Sequence, residues 1–133
     1  MKYFTPLGTI FSAKSTTGIG TTINTEGYEE ILFEFSTAGT STLTVKFKGS
    51  ISDTAPDFSA SASESNLWEH LAFTRVDATS AVAGSTGIST SAADTATIIR
   101  VNAPHLKYVN ADVTSRSAGT VTVKVIGVKT KYV

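Results

Sequence analysis

The side chains that could carry acid–base or metal chemistry are few and far apart along the chain. His70 and His105, the two histidines, are separated by 35 positions and stand in different sequence contexts. A structural zinc site needs four ligands, and the chain has no cysteine to complete a set begun by two histidines. We therefore expect both histidines to be structural or on the surface, with no metal and no cofactor bound.

Acidic side chains form two groups that could hold an ion or attack a glycosidic bond. Asp53 and Asp57 share one polar segment, but that segment lacks the dense run of oxygen ligands of a calcium-binding loop. Glu29, Glu30 and Glu34 lie on one predicted strand, whereas a glycosidase needs two carboxylates that face each other across a cleft. Ion pairs with lysines of the next predicted strand explain these glutamates without catalysis.

A short glycine-rich segment, residues 84–89 (GSTGIS), is the nearest approach to a catalytic motif. It lacks the G-x-S-x-G spacing of a nucleophile elbow. It also lacks the Lys-Ser/Thr pair that follows a phosphate-binding loop. We therefore expect a protein that is not an enzyme.

Aromatic side chains could form a platform for a sugar ring. Trp68 is the only tryptophan, and Tyr28, Tyr108 and Tyr132 could lie beside it. A single Trp at the start of a strand is also typical of a core or interface anchor. Glycan binding through Trp68 and Tyr108 is thus an alternative function, and an anchoring role for Trp68 is the other interpretation.

These side chains must be positioned by strands, because apolar and polar residues alternate in short runs. In residues 28–36 and 42–48 the alternation directs one set of side chains inward: Ile31, Phe33, Phe35, Leu43, Val45 and Phe47. Leu32 and Lys48 are among the residues directed outward. We expect these two runs to form a central hairpin, and residues 106–113 and 120–128 to form a second hairpin around 114–119.

Shorter runs complete a pattern of about eight strands with turn residues between them and no convincing helix. The pattern predicts an all-β fold, an antiparallel β-sandwich or jelly-roll-like single domain over residues 1–133. Three segments fall outside the predicted strands. They are an extended N-terminal arm at 1–8, a long exposed loop at 49–66 and a C-terminal tail at 129–133.

The amino-acid composition limits the kinds of partner that we expect. The 133 residues carry no net charge and only 17% charged side chains, against roughly 25% in an average domain. Serine and threonine fill the difference with 38 residues. A nucleic-acid partner is not expected without a basic footprint, and no apolar run approaches the length of a membrane span. The first residues contain no apolar stretch typical of a secretory signal.

Three features resemble a known class of protein. They are the ending of residues 105–127 (HLKYVNADVTSRSAGTVTVKVIG), the segment 85–89 (STGIS) after the Trp-containing segment, and the V-N-x-P step at 101–104. Together, over much of residues 28–128, they resemble small all-β accessory structural proteins of tailed-bacteriophage virions. That class includes head decoration (cement) proteins and neck, tail or fibre-tip proteins. The resemblance transfers no catalytic or ligand-binding residue.

The resemblance implies a structural protein on the outer surface of a virion, made in the host cytoplasm without a signal peptide. A head decoration protein is the first choice, one that forms homo-oligomers, commonly trimers, and binds the major capsid protein or other virion proteins. The alternatives are a carbohydrate- or receptor-binding module of a tail or fibre, and a neck or tail-completion protein. Tyr3, Phe4 and Phe11 are the candidate subunit contacts, although they could equally pack on their own domain.

Overall fold

The computed structural model describes residues 1–103 and 105–130, and within these ranges the fold consists of strands without any helix. Consequently, no described helix is long and apolar enough to cross a membrane. Nine strands follow one another along the chain: β1 (Lys2–Lys14), β2 (Gly18–Ile19), β3 (Ile23–Asn24), β4 (Glu30–Ser50), β5 (Glu69–His70), β6 (Phe73–Arg75), β7 (Ile88–Thr90), β8 (Ala96–Val101) and β9 (Tyr108–Thr130).

All nine strands belong to one antiparallel sheet in the order β1-β9-β4-β8-β6. The two long strands, β4 with 21 residues and β9 with 23, pair with each other from Glu30↔Val128 to Ser50↔Tyr108. The short strands β2 and β3 add to β9, and β5 and β7 add to β4. The expected all-β, antiparallel, single-domain fold is confirmed.

The two predicted hairpins are wrong. Residues 28–36 and 42–48 lie almost entirely in the single strand β4, and the other two runs lie almost entirely in β9. Each run pairs with the opposite long strand instead of with its neighbour in sequence. Alternation specifies which face a residue occupies but not which strand lies beside it, so the pattern could not reveal this pairing.

The β4–β9 ribbon folds over on itself to make two layers. Phe33 and Phe47 are 14 positions apart, roughly 46 Å along a straight strand, yet their rings stack with centroids 4.9 Å apart. The reversal lies where the pairing of β4 and β9 shifts, and where Gly39 and Thr40 adopt left-handed backbone with φ of 81° and 54°. One sheet thereby supplies both layers of the sandwich.

The core lies between the two layers and contains the predicted set. All six residues directed inward by the alternation are buried, at no more than 2% exposure. The Phe47 ring also meets the edges of Phe35 and Phe73, with centroids 6.3 and 5.4 Å away. Alternating valines of β9 and Ile99 of β8 fill the remaining space. The centre of the sandwich is therefore packed by apolar side chains.

The predicted terminal segments and loop are more ordered than expected. Residues 2–8 form the start of β1, paired with β9 from Lys2↔Thr130 onward, rather than a free arm. Residues 129 and 130 complete β9, while the rest of the predicted tail, 131–133, and Pro104 of the V-N-x-P step lie outside the described residues. The predicted loop begins after Ser50 and is held down by Phe58, which is 1% exposed.

Candidate functional site: two exposed apolar surfaces

One outer face of the sandwich carries a continuous line of apolar side chains. The face belongs to β1, β9, β4, β8 and β6, and Pro6, Ile126 and Leu32 occupy one row across three of these strands. Phe4 is 64% exposed and Ile98 is 45% exposed. We call this surface the outer strip, and its members are Phe4, Pro6, Leu32, Val76, Ile98 and Ile126.

The Phe4 ring stands out of this face as a ridge. Two hollows of about 330 and 270 Å³ are both lined by Phe4 and Leu32, one extending toward Arg100 and the other toward Ile126. A third hollow of about 510 Å³ lies beside Val76 and Ile98. The outer strip is therefore uneven, with a projecting ring and shallow hollows, and such a shape can interlock with another surface.

Charged side chains of both signs border the outer strip. Arg100 Nε lies 3.5 Å from a carboxylate oxygen of Glu30, and Glu34 stands opposite Lys124 in the strand register. Exposed pairs of this kind contribute little to stability. An apolar patch with a polar border is typical of a surface that binds another protein.

A second apolar surface lies where the loop after β4 meets the segments around residues 69–72 and 102–106. It is a hollow of about 460 Å³, which we call the end hollow. Ile51 and Leu67 form its rim and are 65% and 56% exposed. The buried Leu71 and Leu106 also line it, together with Trp68, His70 and Glu69.

Lys48 holds the loop that supplies the rim of the end hollow. Its Nζ donates to the Phe58 carbonyl oxygen at 2.8 Å, lies 3.3 Å from a carboxylate oxygen of Asp112, and is 4.1 Å from the centroid of the Trp68 ring. Lys48 was predicted to point outward, away from the core, and it is nevertheless only 5% exposed. The loop folds back over it.

Trp68 is a half-buried anchor of this loop. Its Nε1 donates to the Ala60 carbonyl oxygen at 2.9 Å, and its ring meets the edge of His70 at a centroid distance of 5.1 Å. Lys48 lies over one face of the ring. Trp68 nevertheless lines the end hollow, so part of the indole remains accessible to a partner.

The two tyrosines of the predicted platform that the structure describes, Tyr28 and Tyr108, lie apart from Trp68. Tyr108 directs its hydroxyl toward the Asp53 carbonyl oxygen at 3.4 Å, and Tyr28 lies under the Lys129 ammonium group, 5.2 Å from ring centroid to Nζ. Among the described residues neither ring stacks on Trp68, and Tyr132 lies outside them. Tyr28 and Tyr108 therefore do not form a platform with Trp68, and ligand contact by Trp68 and Tyr108 stays a prediction.

His70 contributes a neutral ring to the end hollow. Partial burial, and then the ammonium groups of Lys48 and Lys46, lower the pKa of His70 below its ordinary value of 6.5. The ring is thus uncharged at neutral pH. No group of three or more histidine, aspartate or glutamate side chains that could hold a metal ion occurs in residues 1–103 and 105–130.

Three aspartates have lowered pKa values because each accepts local hydrogen bonds. Lys107 lies 2.6 Å from Asp53 and lowers the pKa of that carboxyl. Ser59 does the same for Asp57. Asp94, which the sequence did not single out, accepts the backbone N–H groups of residues 40 and 41 at 3.1 and 2.9 Å, and these bonds lower its pKa. Each of these carboxylates therefore binds groups of its own chain and helps to hold a loop in place.

Of the three predicted subunit contacts, one is wrong. Phe11 is 2% exposed and packs in the core of its own chain, because pairing shifts between Thr9 and Phe11 change the face that β1 presents. Phe4 is the main ridge of the outer strip. Tyr3 is 38% exposed on the same strand, and its role as a subunit contact stays a prediction.

No protein-family model matches the chain, and a search of curated proteins found no match. Among solved structures, the chain is similar to the crystal structure of the SPBc2 prophage-derived protein YomS. The TM-score is 0.70 at 19% sequence identity, with 97% of this chain and 96% of that chain covered. At this level of identity the likeness shows that the two proteins share the fold from end to end.

Proposed function

We propose that this chain is a non-enzymatic structural protein of a tailed-bacteriophage virion. A protein that derives from a prophage has the same fold over nearly its whole length. The resemblance of the strand-rich ending to accessory virion proteins points the same way.

The observation that carries this proposal is the outer strip. Phe4, Val76 and Ile98 are between 45% and 64% exposed on one continuous face. Burial of apolar area contributes about 25 cal/mol for each Å² removed from water, so a partner that covers this face gains affinity from it. Stable protein interfaces bury roughly 800 Å² on each partner, and the outer strip with its charged border suits the centre and rim of such an interface.

Within this class, a head decoration protein is the first choice. We propose that the chain forms a homo-oligomer, with a trimer favoured, and binds the major capsid protein or another virion protein on the outer surface of the particle. The net charge of zero supports a protein partner rather than nucleic acid. Without cysteines, such an assembly depends on noncovalent contacts.

A carbohydrate- or receptor-binding module of a tail or fibre is the second candidate, and a neck or tail-completion protein is a variant of the first. The end hollow beside Trp68 favours the second candidate, because aromatic side chains often line ligand sites. Two contacts speak against it. Lys48 covers one face of the indole ring, and Nε1 already donates to Ala60.

The test is to locate the protein in particles. Virions from the producing host are purified, heads and tails are separated, and the chain is quantified by mass spectrometry in each fraction. The proposal expects it in the head fraction, and expects heads without it to rupture at a lower temperature. Recovery in the tail fraction with glycan binding would favour the second candidate, and absence from all particles would contradict both.

A further inference from the structure

We infer that the two apolar surfaces bind each other between copies of the chain, with the Phe4 ridge of one copy seated in the end hollow of the next. The inference rests on the proposed function, because it specifies how the homo-oligomer is built. The contact joins the outer strip of one copy to the end hollow of the next, so the copies are arranged head to tail.

The first support is where the exposed apolar side chains lie. Seven large hydrophobic side chains are exposed among the described residues, and five of them fall on the two surfaces: Phe4, Val76 and Ile98 on the outer strip, and Ile51 and Leu67 on the rim of the end hollow. The two surfaces share no lining residue, and a hydrogen bond of 3.0 Å between the Asn102 and Thr74 side chains lies between them.

The second support is the complementary shape. Phe4 stands between two hollows, so its ring projects from the sheet. The end hollow, at about 460 Å³, has an apolar floor with Leu71 and Leu106 and room for an aromatic side chain. An aromatic anchor in a preformed apolar pocket is the arrangement that dominates binding energy at protein interfaces.

The third support is charge. Lys2 is exposed and lies two residues before Phe4 on the same strand, so alternation directs both side chains to the same side. Glu69 is exposed at the end hollow, and Glu64 is exposed in the loop before it. Glu30 and Glu34 also lie beside Phe4, but Glu30 pairs with Arg100 and Glu34 stands opposite Lys124 on their own chain. Lys2 of one copy therefore meets Glu69 or Glu64 of the next, which favours this orientation of the two copies.

A contact between two different surfaces has a consequence for symmetry. After the first contact one copy still has a free hollow and the other still has a free ridge, so copies add head to tail until the ring closes. This accounts for a trimer more directly than for a two-fold dimer. It also leaves the rest of each copy available to the capsid or another virion protein.

The experiment uses two variants and their mixture, with mass measured by light scattering. Phe4→Glu removes the ridge and keeps the hollow, while Leu67→Glu spoils the hollow and keeps the ridge. Each variant alone is expected to be monomeric, with the affinity between copies lowered at least roughly 30-fold, as for the loss of an interface hot spot. Ser117→Glu, at an exposed position outside both surfaces, is the matched control and should keep the wild-type mass.

The mixture decides the inference. The intact ridge of the Leu67→Glu chain fits the intact hollow of the Phe4→Glu chain, so the mixture should form a one-to-one complex and stop there. A mixture that stays monomeric while the wild-type chain assembles would overturn the inference and leave the proposed function standing. A wild-type chain that is monomeric at every concentration would also overturn it, and the particle location would then be decided by the virion experiment.

A charge exchange provides an independent readout that does not alter the apolar surfaces. Lys2→Glu should weaken assembly, and combining it in the same chain with Glu69→Lys should restore it, most clearly at low ionic strength. Folding of every variant is checked by its unfolding midpoint. Failure of the second change to restore assembly would contradict the proposed orientation of the two surfaces.

Discussion

The ammonium nitrogen of Lys48 lies 4.1 Å from the centre of the Trp68 ring, in a contact that joins the sheet to the loop around the end hollow. The same nitrogen donates to the Phe58 carbonyl oxygen at 2.8 Å. Lys48 belongs to β4, whereas Phe58 and Trp68 belong to the loop. Lys48 therefore helps to set the shape of the end hollow, and the loop should loosen when that lysine is replaced.

Replacing Lys48 with methionine should lower the free energy of unfolding by about 2 kcal/mol, because a buried carbonyl oxygen loses its donor and Asp112 loses its partner. Trp68 should become more exposed, which shifts its fluorescence to longer wavelength. Lys46→Met is the matched control, two positions along the same strand and without the contacts to Phe58 and Trp68. Equal effects of the two changes in denaturant unfolding would contradict this role of Lys48.

The stability of the protein should depend on pH through His70. Its pKa is lowered in the folded state, so the unfolded chain takes up a proton first as pH falls below about 6.5. Stability is therefore complete above that pH and decreases as pH falls from about 6.5 through the folded pKa. His70→Gln should remove this part of the dependence. An NMR titration that gives His70 an ordinary or raised pKa would be inconsistent with the packing described.

Asp94 should stabilise the fold-over of β4 in its charged form. Its lowered pKa comes first from the backbone N–H of Ser41. This contribution is present above the unfolded value of about 4 and is lost as pH falls through the lower folded pKa. Asp94→Ala should lower the thermal midpoint at pH 7, and the difference from wild type should shrink at pH 2–3. Asp77→Ala is the exposed control, and an effect as large as that of Asp94→Ala would contradict the assignment.

Gly119 should tolerate no side chain, because it lies inside the fold-over. Its φ is 82°, and an added Cβ would lie 2.6 Å from the Ser41 side chain and 2.7 Å from the Ala38 carbonyl oxygen. Gly119→Ala should cost about 3 kcal/mol, from backbone strain and steric conflict together. Gly27→Ala is the matched control, since φ is 90° but the space is open. Similar unfolding free energies for the two variants would show that the fold-over is not tightly packed.

The faces of the strands could be predicted from the sequence, but their partners could not. Alternation placed Phe33 and Phe47 inward correctly, because a strand with one buried face must turn its apolar side chains toward that face. It could not show that one strand carries both residues, since the fold-over depends on backbone conformation at Gly39 and Gly119. Phe11 was misplaced for the same kind of reason, because an irregularity in β1 changes its face.

The sequence contains one indication of the outer strip, but the alternation pattern alone does not show that an apolar surface forms there. Leu32 was directed outward, at a position where a polar residue is expected on an exposed sheet. Ile98 and Ile126 occupy equivalent outward positions on the neighbouring strands, but only the strand order brings the three together. The end hollow had no comparable signal, because its walls come from three segments that meet only in the folded chain.

The central claim, that this protein assembles through its outer strip, is tested most directly by the mass of the purified protein in solution over a range of concentrations. The account predicts a closed oligomer for the wild-type chain and for Ser117→Glu, and a folded monomer for Ile98→Glu, which places a charge in the middle of the strip. An oligomer that Ile98→Glu leaves intact, at the same mass and concentration dependence, would contradict it.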